Sequence, residues 1–346
     1  MKVRSFFRIY NKMKYFRKIF KRYKRILAPG TYHLYPCMRA IALQDDEILE
    51  KTDKYFANMN SQYIYQKIAK IMNFVGGFKN KRSMCFEYQA MYVANNYEND
   101  REVKLFSLNN KKILTICSSK KTKDTQLNLY EKLYKIYHLP LVTPSKEYKN
   151  SYLIDMVDLM SIQNHDLAVI EICECTKKLI GFHFYKKINE LLKFSYEDER
   201  LQKILELIKG RISEEVLNQT ITICIQHGDL SSENLIYGKS NERVGYWWID
   251  WEHIKERVFF YDLFFYMLHS AFYFDNSLIL EDFFDGKYDL MLNELFLKFG
   301  QFYDSRFKND YFAVFLILFL RERVCETGKY ETLEKYYNYV IQKGFI

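Results

Sequence analysis

Apolar residues recur at three- and four-residue spacing from the start of the chain, at Phe6, Ile9, Met13, Phe16, Phe20, Tyr23 and Leu27. Arg8, Lys12, Lys14, Lys18, Arg22, Lys24 and Arg25 occupy positions between them. That period predicts an amphipathic helix over 4–27, stopped by Ala28-Pro29-Gly30. A second helical stretch is expected over 45–74, ending at Gly76-Gly77. The pattern then shortens: 84–93, 103–108 and 112–117 read as strands, and Asn109-Asn110 suits a tight turn between the last two. Leu127, Leu129, Leu133 and Ile136 restore helical periodicity over 124–138, and 152–157 is again strand-like. Beyond it, helices are expected at 165–194, 197–209, 261–275, 288–300, 309–326 and 330–343, interrupted by a strand-rich island at 221–251. A helical preface, a small sheet with one helix, and a large helical half with a stranded island describe a two-lobed protein with a cleft.

Composition narrows the class. At 346 residues and 49% hydrophobic, with 12 Gly and 4 Pro, the chain can bury a sizeable core and is not disordered or collagen-like. The seven cysteines are scattered, with no C-x-x-C pair, and read as reduced core thiols of a cytosolic protein. The net charge of +9 is not evenly spread. Residues 1–44 hold twelve Lys or Arg and no acid, leaving 40 bases against 43 acids in the remainder. The body is therefore near neutral, which argues against a nucleic-acid-binding body. The N-terminus has no apolar core long enough for a signal peptide, and the apolar run 311–320 is too short to span a bilayer. A basic, amphipathic 1–27 helix predicts attachment to an anionic membrane surface, with packing against the body as the alternative.

The chemistry lies in the island. The run Ile225-Gln226-His227-Gly228-Asp229-Leu230-Ser231-Ser232-Glu233-Asn234 is followed by Trp247-Trp248-Ile249-Asp250-Trp251-Glu252-His253 and by Tyr261-Asp262-Leu263. Three short strands meeting a loop deliver Asp229, Asn234 and Asp250 to one place. Asn and Asp oxygens suit Mg²⁺, which takes few protein ligands and completes its shell with water and phosphate. Asp229, five residues before Asn234, is left to accept a proton from an attacking hydroxyl. Trp247, Trp248 and Trp251 read as core and cleft wall.

The pattern His227-x-Asp229-x-x-x-x-Asn234, with Asp250 sixteen residues later, resembles the catalytic and metal-binding arrangement of the protein-kinase-like fold. The His-Gly-Asp-Leu opening, the Ile-Asp-Trp-Glu ending and the later Tyr-Asp-Leu look more specifically like the aminoglycoside phosphotransferase and choline kinase group, with lipopolysaccharide-core sugar kinases a further relative. The resemblance implies an α+β, two-lobed protein-kinase-like fold: a small β-rich N-lobe, a larger helical C-lobe and a helical N-terminal extension. It covers residues 84–346, as a nucleotide-binding lobe 84–157 and a catalytic and acceptor-binding lobe 158–346; before them the periodicity sets a basic helix 1–27 and a helical extension 28–83. The resemblance implies ATP- and Mg²⁺-dependent phosphorylation of a small-molecule hydroxyl, on a sugar or an amino alcohol; the basic N-terminal helix, rather than the motif, adds the expectation of a lipid-linked envelope saccharide. Asp229 would be the base, with His227 fixing its loop; Asn234, Asp250 and Glu252 would hold metal and phosphates; Asp262 would brace the loop. Met156 to Asp158 would hold the adenine through backbone groups.

The group's phosphate-binding lysine, paired with a helix Glu, falls here to Lys112, Lys120 or Lys104, and its partner to Glu131. No G-x-G-x-x-G precedes the sheet, and Asp262 follows Asp250 by only twelve positions. A protein substrate is therefore not expected. The contrasting expectation is a catalytically silent kinase-fold binding module at the membrane surface. The location expected is cytoplasmic, on the inner face of the membrane if the helix attaches there.

Overall fold

In the computed structural model the described residues are 3–37, 39–56, 63–74, 77–81, 87–94, 102–160, 164–179, 183–193, 199–273, 276–327 and 330–345, the side chains of 3–10, 54, 63, 64, 252 and 325–333 aside. The chain divides into two compact units, the first of residues 1–135, 139–159 and 238–244, the second of the rest.

The first unit opens with α1 (Val3–Tyr23), then β1 (Gly30–Leu34), β2 (Ala40–Leu43), α2 (Asp46–Phe56), α3 (Tyr63–Phe74) and β3 (Phe78–Asn80). It continues through β4 (Ala90–Val93), β5 (Glu102–Ser107), β6 (Lys112–Cys117), α4 (Lys120–Leu133), β7 (Val142–Pro144), β8 (Ser151–Asp155) and β9 (Asp158–Leu159). β1 to β8 form one eight-stranded sheet in the order β3-β1-β2-β4-β5-β6-β8-β7. The helical extension expected over 28–83 holds α2 and α3 but is thus corrected in part: three of its short segments are strands that extend the sheet. They were hard to see because Ala40-Ile41-Ala42 has little side-chain volume and β3 is only three residues long. Pairing with β4 decides them.

Side chains alternate across this sheet, so each face has its own cover. On one face Leu34, Ile41, Met91, Leu105, Leu114 and Ile116 pack with Met13, Phe16, Ile19, Phe20 and Tyr23 of α1. Phe16 and Phe20 meet Phe78 edge-on, with ring centroids 5.4 and 5.2 Å away. On the other face Ala40, Ala42, Ala90, Phe106 and Ile113 pack with Phe56 and Tyr55 of α2. α4 lies over the same side, where Tyr130 meets Tyr152. It starts earlier than the periodicity suggested because the Ser119 hydroxyl accepts the N–H of Thr122 and caps it.

The second unit runs α5 (His165–Lys177), β10 (His183–Lys187), α6 (Ile188–Leu191), α7 (Glu199–Lys209), α8 (Glu214–Leu217) and β11 (Thr220–Gln226). β12 (Leu235–Ser240) and β13 (Arg243–Trp248) follow, with tips in the first unit, and then β14 (Lys255–Val258). α9 (Tyr261–Tyr273), α10 (Leu278–Phe284), α11 (Asp289–Lys298), α12 (Lys308–Thr327) and α13 (Tyr330–Gln342) complete it. The helix expected over 165–194 breaks into α5, a strand and α6, because 183–187 pairs antiparallel with β11. Phe260, Phe264, Phe283, Phe296, Phe312 and Phe315 fill the core between these helices. All five cysteines with described side chains are free and buried, as expected of core thiols. The α+β architecture, with an N-terminal helix, a β-rich unit and a helical unit, follows the expectation from the motif.

Candidate active site

In the second unit the loop between β11 and β12 is held from beneath by a carboxylate. Asp262, in the first turn of α9, accepts the N–H of His227 on Oδ2 at 2.6 Å and the N–H of Gly228 on Oδ1 at 2.8 Å. Its own N–H donates to the side-chain oxygen of Gln226. Burial pushes the Asp262 carboxyl up, while the N–H groups of Gly228 and His227 that it accepts pull it back. The brace expected from the motif is therefore present in geometry.

His227 is fully buried, and both its ring nitrogens serve the loop. Nε2 donates to the carbonyl of Ile249 at 2.8 Å, and Nδ1 accepts the N–H of Asp229 at 3.3 Å. These partners define a neutral ring protonated at Nε2. Its place against Trp251, 4.6 Å between centroids, ties it to the Trp248–Trp251–Tyr137 cluster. Those tryptophans are core, as expected. Gly228 has φ +83°, and a Cβ there would sit 2.3 Å from the guanidinium of Arg257. A side chain there would strain the backbone and push the Arg257 guanidinium aside.

Asp229 and Asn234 are drawn together by a side-chain link: the Asn234 amide nitrogen donates to the Asp229 carbonyl at 2.7 Å. With its nitrogen so used, the amide presents its oxygen as the ligand-capable atom. The N–H of Ile249 donates to the Asn234 carbonyl, which brings the next residue, Asp250, beside Asn234. Asp250 adopts φ 63° and ψ 60° at the head of a short 3-10 turn, Trp251–His253. Asp tolerates this left-handed conformation better than most residues, and backbone held there is characteristic of functional loops. Among the described residues no three His, Cys, Asp or Glu side chains cluster as a metal site. Asn234 and Asp250 carry side-chain oxygens of the hard kind that Mg²⁺ takes, and that ion needs few protein ligands. The Glu252 side chain lies outside the described residues.

Two arginines that the sequence reading passed over complete the site. Arg257 is 4% exposed and its Nη2 lies 2.8 Å from Glu322, while Nη1 donates to the carbonyl of His253. Arg323 Nη2 donates to Asp229 Oδ1. Neither follows a motif spacing; only the fold of α12 brings Glu322 and Arg323 here.

In the first unit the lysine candidates sort by strand parity. Lys112 shares its face with Leu114 and Ile116, the α1 side, and its ammonium pairs with Asp155. Asp158 is paired with Lys111, and Asn241 Nδ2 donates to Asp155, so Lys112 and Asp158 belong to one charged cluster. Lys120 is exposed in the first turn of α4. Glu131 is also exposed, one residue off the Tyr130 and Leu133 side that faces the sheet. Of the three lysines left open as the partner of Glu131, Lys112 is paired with Asp155 instead. Lys104 stands opposite Thr115, which stands opposite Tyr152, so it alone of the three lies on the face covered by α4. Its charge acts on Cys117 and Tyr152. Around Met156 to Asp158, the Met156 N–H donates to Lys111, and the Val157 carbonyl accepts the Tyr55 hydroxyl at 2.8 Å. Tyr55 and Phe56 lie against Phe106, with centroids 6.2 and 5.2 Å away.

No family model matches the chain, and no curated protein matches it in sequence. Several solved structures are similar to it. The GDP complex of wild-type aminoglycoside 2'-phosphotransferase-IIIa aligns over 81% of this chain and 98% of its own, at 13% identity and a TM-score of 0.44. A microcompartment-associated aminopropanol kinase aligns over 72% and 89%, at 14% identity and a TM-score of 0.42. A choline/ethanolamine kinase family protein from Mesorhizobium loti aligns over 74% and 87%, at 12% identity and a TM-score of 0.41.

Proposed function

We propose that this chain is a phosphotransferase of the protein-kinase-like fold, transferring the γ-phosphoryl group of ATP to a hydroxyl of a small molecule. The observation that carries the reading is the Asp262 brace. One carboxylate holds two consecutive N–H groups and so presents Asp229 at a fixed place, beside an Asn–Asp oxygen pair. Such preorganisation is what phosphoryl transfer asks of a protein, since positioning and charge stabilisation do most of the work. Asp229 takes the proton of the acceptor hydroxyl as its oxygen bonds to the γ-phosphorus and the bond to the ADP oxygen breaks. His227, with both nitrogens engaged, keeps the loop in shape and moves no proton. Asn234 and Asp250 would hold Mg²⁺, which when bound neutralises phosphate charge. Lys104, on the α4 face of β5, is the lysine that best suits the nucleotide phosphates.

A second reading, a silent kinase-fold binding module, is favoured by the pairing of Lys112 with Asp155 and by Tyr55 on the Val157 carbonyl. Calorimetry with Mg-ATP, followed by turnover assays, separates the two. Asp250→Ala should abolish Mg²⁺-dependent nucleotide binding yet fold, and Asp229→Asn should keep binding while kcat falls at least ~10²-fold. A wild-type protein without nucleotide affinity would establish the silent reading instead. Membrane attachment has less support than the sequence suggested, because Met13, Phe16 and Phe20 are buried against the sheet. The side chains of Phe6 and Ile9 lie outside the described residues, and exposed Arg17, Lys18, Lys21, Arg22, Lys24 and Arg25 leave a purely electrostatic route. Among the described residues no helix is long and apolar enough to cross a membrane.

A further inference from the structure

The candidate base does not stand alone: the Arg323 guanidinium donates to its Oδ1. The two side chains are 24% and 31% exposed, so the pair is open to water on one side. An ion pair this open contributes little to stability. Its placement is nonetheless well determined. The guanidinium lies 5.2 Å from the Phe265 ring centroid and 5.7 Å from that of Phe319, two rings that meet edge-on. His269 stacks on Phe265 at 5.7 Å, and Tyr336 meets Phe319 edge-on at 5.0 Å. Both feel Asp229 and Arg323 with opposite sign, which locates them around the pair. The preceding residue, Glu322, turns the other way, to Arg257. α12 thus spends its acid on the loop support and puts its base beside the reacting carboxylate.

An acceptor hydroxyl that gives its proton to Asp229 must therefore approach next to a fixed positive charge. A planar guanidinium offers several N–H groups in a rigid fork suited to phosphate or carboxylate oxygens, and aromatic contacts hold it ready. An ammonium group on the acceptor would meet like charge there.

We propose that Arg323 is the specificity-determining residue of this site, selecting acceptors that carry a phosphate or carboxylate close to the hydroxyl and rejecting those with an ammonium group. This rests on the reading of Asp229 as the base and adds to it the charge of the acceptor. On binding, the acceptor's oxyanion engages Arg323 and releases Asp229 Oδ1 for the hydroxyl proton.

The test uses the full chain and a panel matched in size: glycerol 3-phosphate and glycerate as anions, glycerol as the neutral member, and 1-amino-2-propanol as the cation. Each is measured for phosphorylation with Mg-ATP and for binding by thermal shift. Wild-type protein should favour the anions by at least ~10-fold in kcat/KM or in affinity. Arg323→Ala should erase that preference mainly through KM, Arg323→Lys should restore part of it, and Arg323→Glu should turn it towards the amine. Phosphate and carboxylate members distinguish the two oxyanions. A wild-type protein indifferent to acceptor charge, or one that prefers the amine, overturns the proposal. So does a preference that Arg323→Ala leaves in place. Asp229→Asn separates this from the underlying reading: it should abolish turnover while the charge ranking in the thermal-shift series remains. Turnover that survives Asp229→Asn removes the base assignment, and the ranking then judges Arg323 alone.

Discussion

At the scale of single residues, two side chains make the sharpest demands. Asp262 satisfies two backbone donors inside the protein, so Asp262→Ala leaves both unpaired and buried. Each orphaned donor costs about 1–3 kcal/mol. We therefore expect the variant to lose stability and turnover together in urea unfolding and in kcat. Asp262→Asn keeps one acceptor and should fall between, and a stable, active Asp262→Ala would remove the brace from the account. His269 sets an acid limit. Burial pulls its imidazole from 6.5 down to about 4, with the positive Arg323 adding to this and Asp229 opposing it. The folded protein thus keeps the ring neutral while the unfolded chain takes up a proton. Stability contributed by the neutral ring is full above pH 6.5 and falls as pH drops towards about 4, in total by of order 3 kcal/mol. Urea midpoints at pH 7 and pH 5 should differ less in His269→Gln than in wild type; equal differences would place the acid sensitivity elsewhere.

At the scale of elements, the face a residue occupies decides its role. α1 has the sequence of an interfacial helix, with apolar residues on one side and bases on the other, yet the described part of its apolar stripe is core. Replacing Phe16 or Phe20 by Ala removes a buried ring and should destabilise the protein by about 3–5 kcal/mol, whereas Lys18→Ala and Lys21→Ala should be near neutral. Thermal unfolding of the four variants checks this, and ring variants that melt like wild type would return the helix to the membrane. Parity acts the same way on β5 and β6. Lys104 shares the α4 face and Lys112 does not. Lys104→Ala should raise the KM for ATP by ~10-fold, the scale of one charge-assisted phosphate contact, while Lys112→Ala should leave it unchanged. Should Lys112→Ala have the larger effect, the face assignment fails.

At the scale of the whole molecule, what was legible in the sequence was whatever depends on neighbours along the chain. The longer helices, the alternation of β5 and β6 and the tight turn from Asp229 to Asn234 all arise from local period and short spacing. An H-x-D-x-x-x-x-N loop closes on itself through contacts such as Asn234 to the Asp229 carbonyl, only five residues apart. Asp250 and Asp262 lie further along the chain, and the expectation for them came from the motif's resemblance to the kinase-like group rather than from local contacts. Short strands in 28–43 and 183–187 were missed because a strand of four or five residues carries little pattern of its own. Its identity rests on hydrogen bonds to a partner far away in sequence. The same holds for the choice between a helix that lies on lipid and one that covers a sheet: both need one apolar face, and amphipathicity does not say what the face will meet. Arg257 and Arg323 come from the same class of contact, 65 and 94 residues away from the groups they pair with. The sequence by itself determined the α+β class, the longer helices and the compact turn from Asp229 to Asn234, because those are set by residues within a few turns of one another. Tertiary structure alone decided the cover of the sheet, the face of each lysine and the charge beside Asp229, because side chains distant in sequence meet only after the chain has folded.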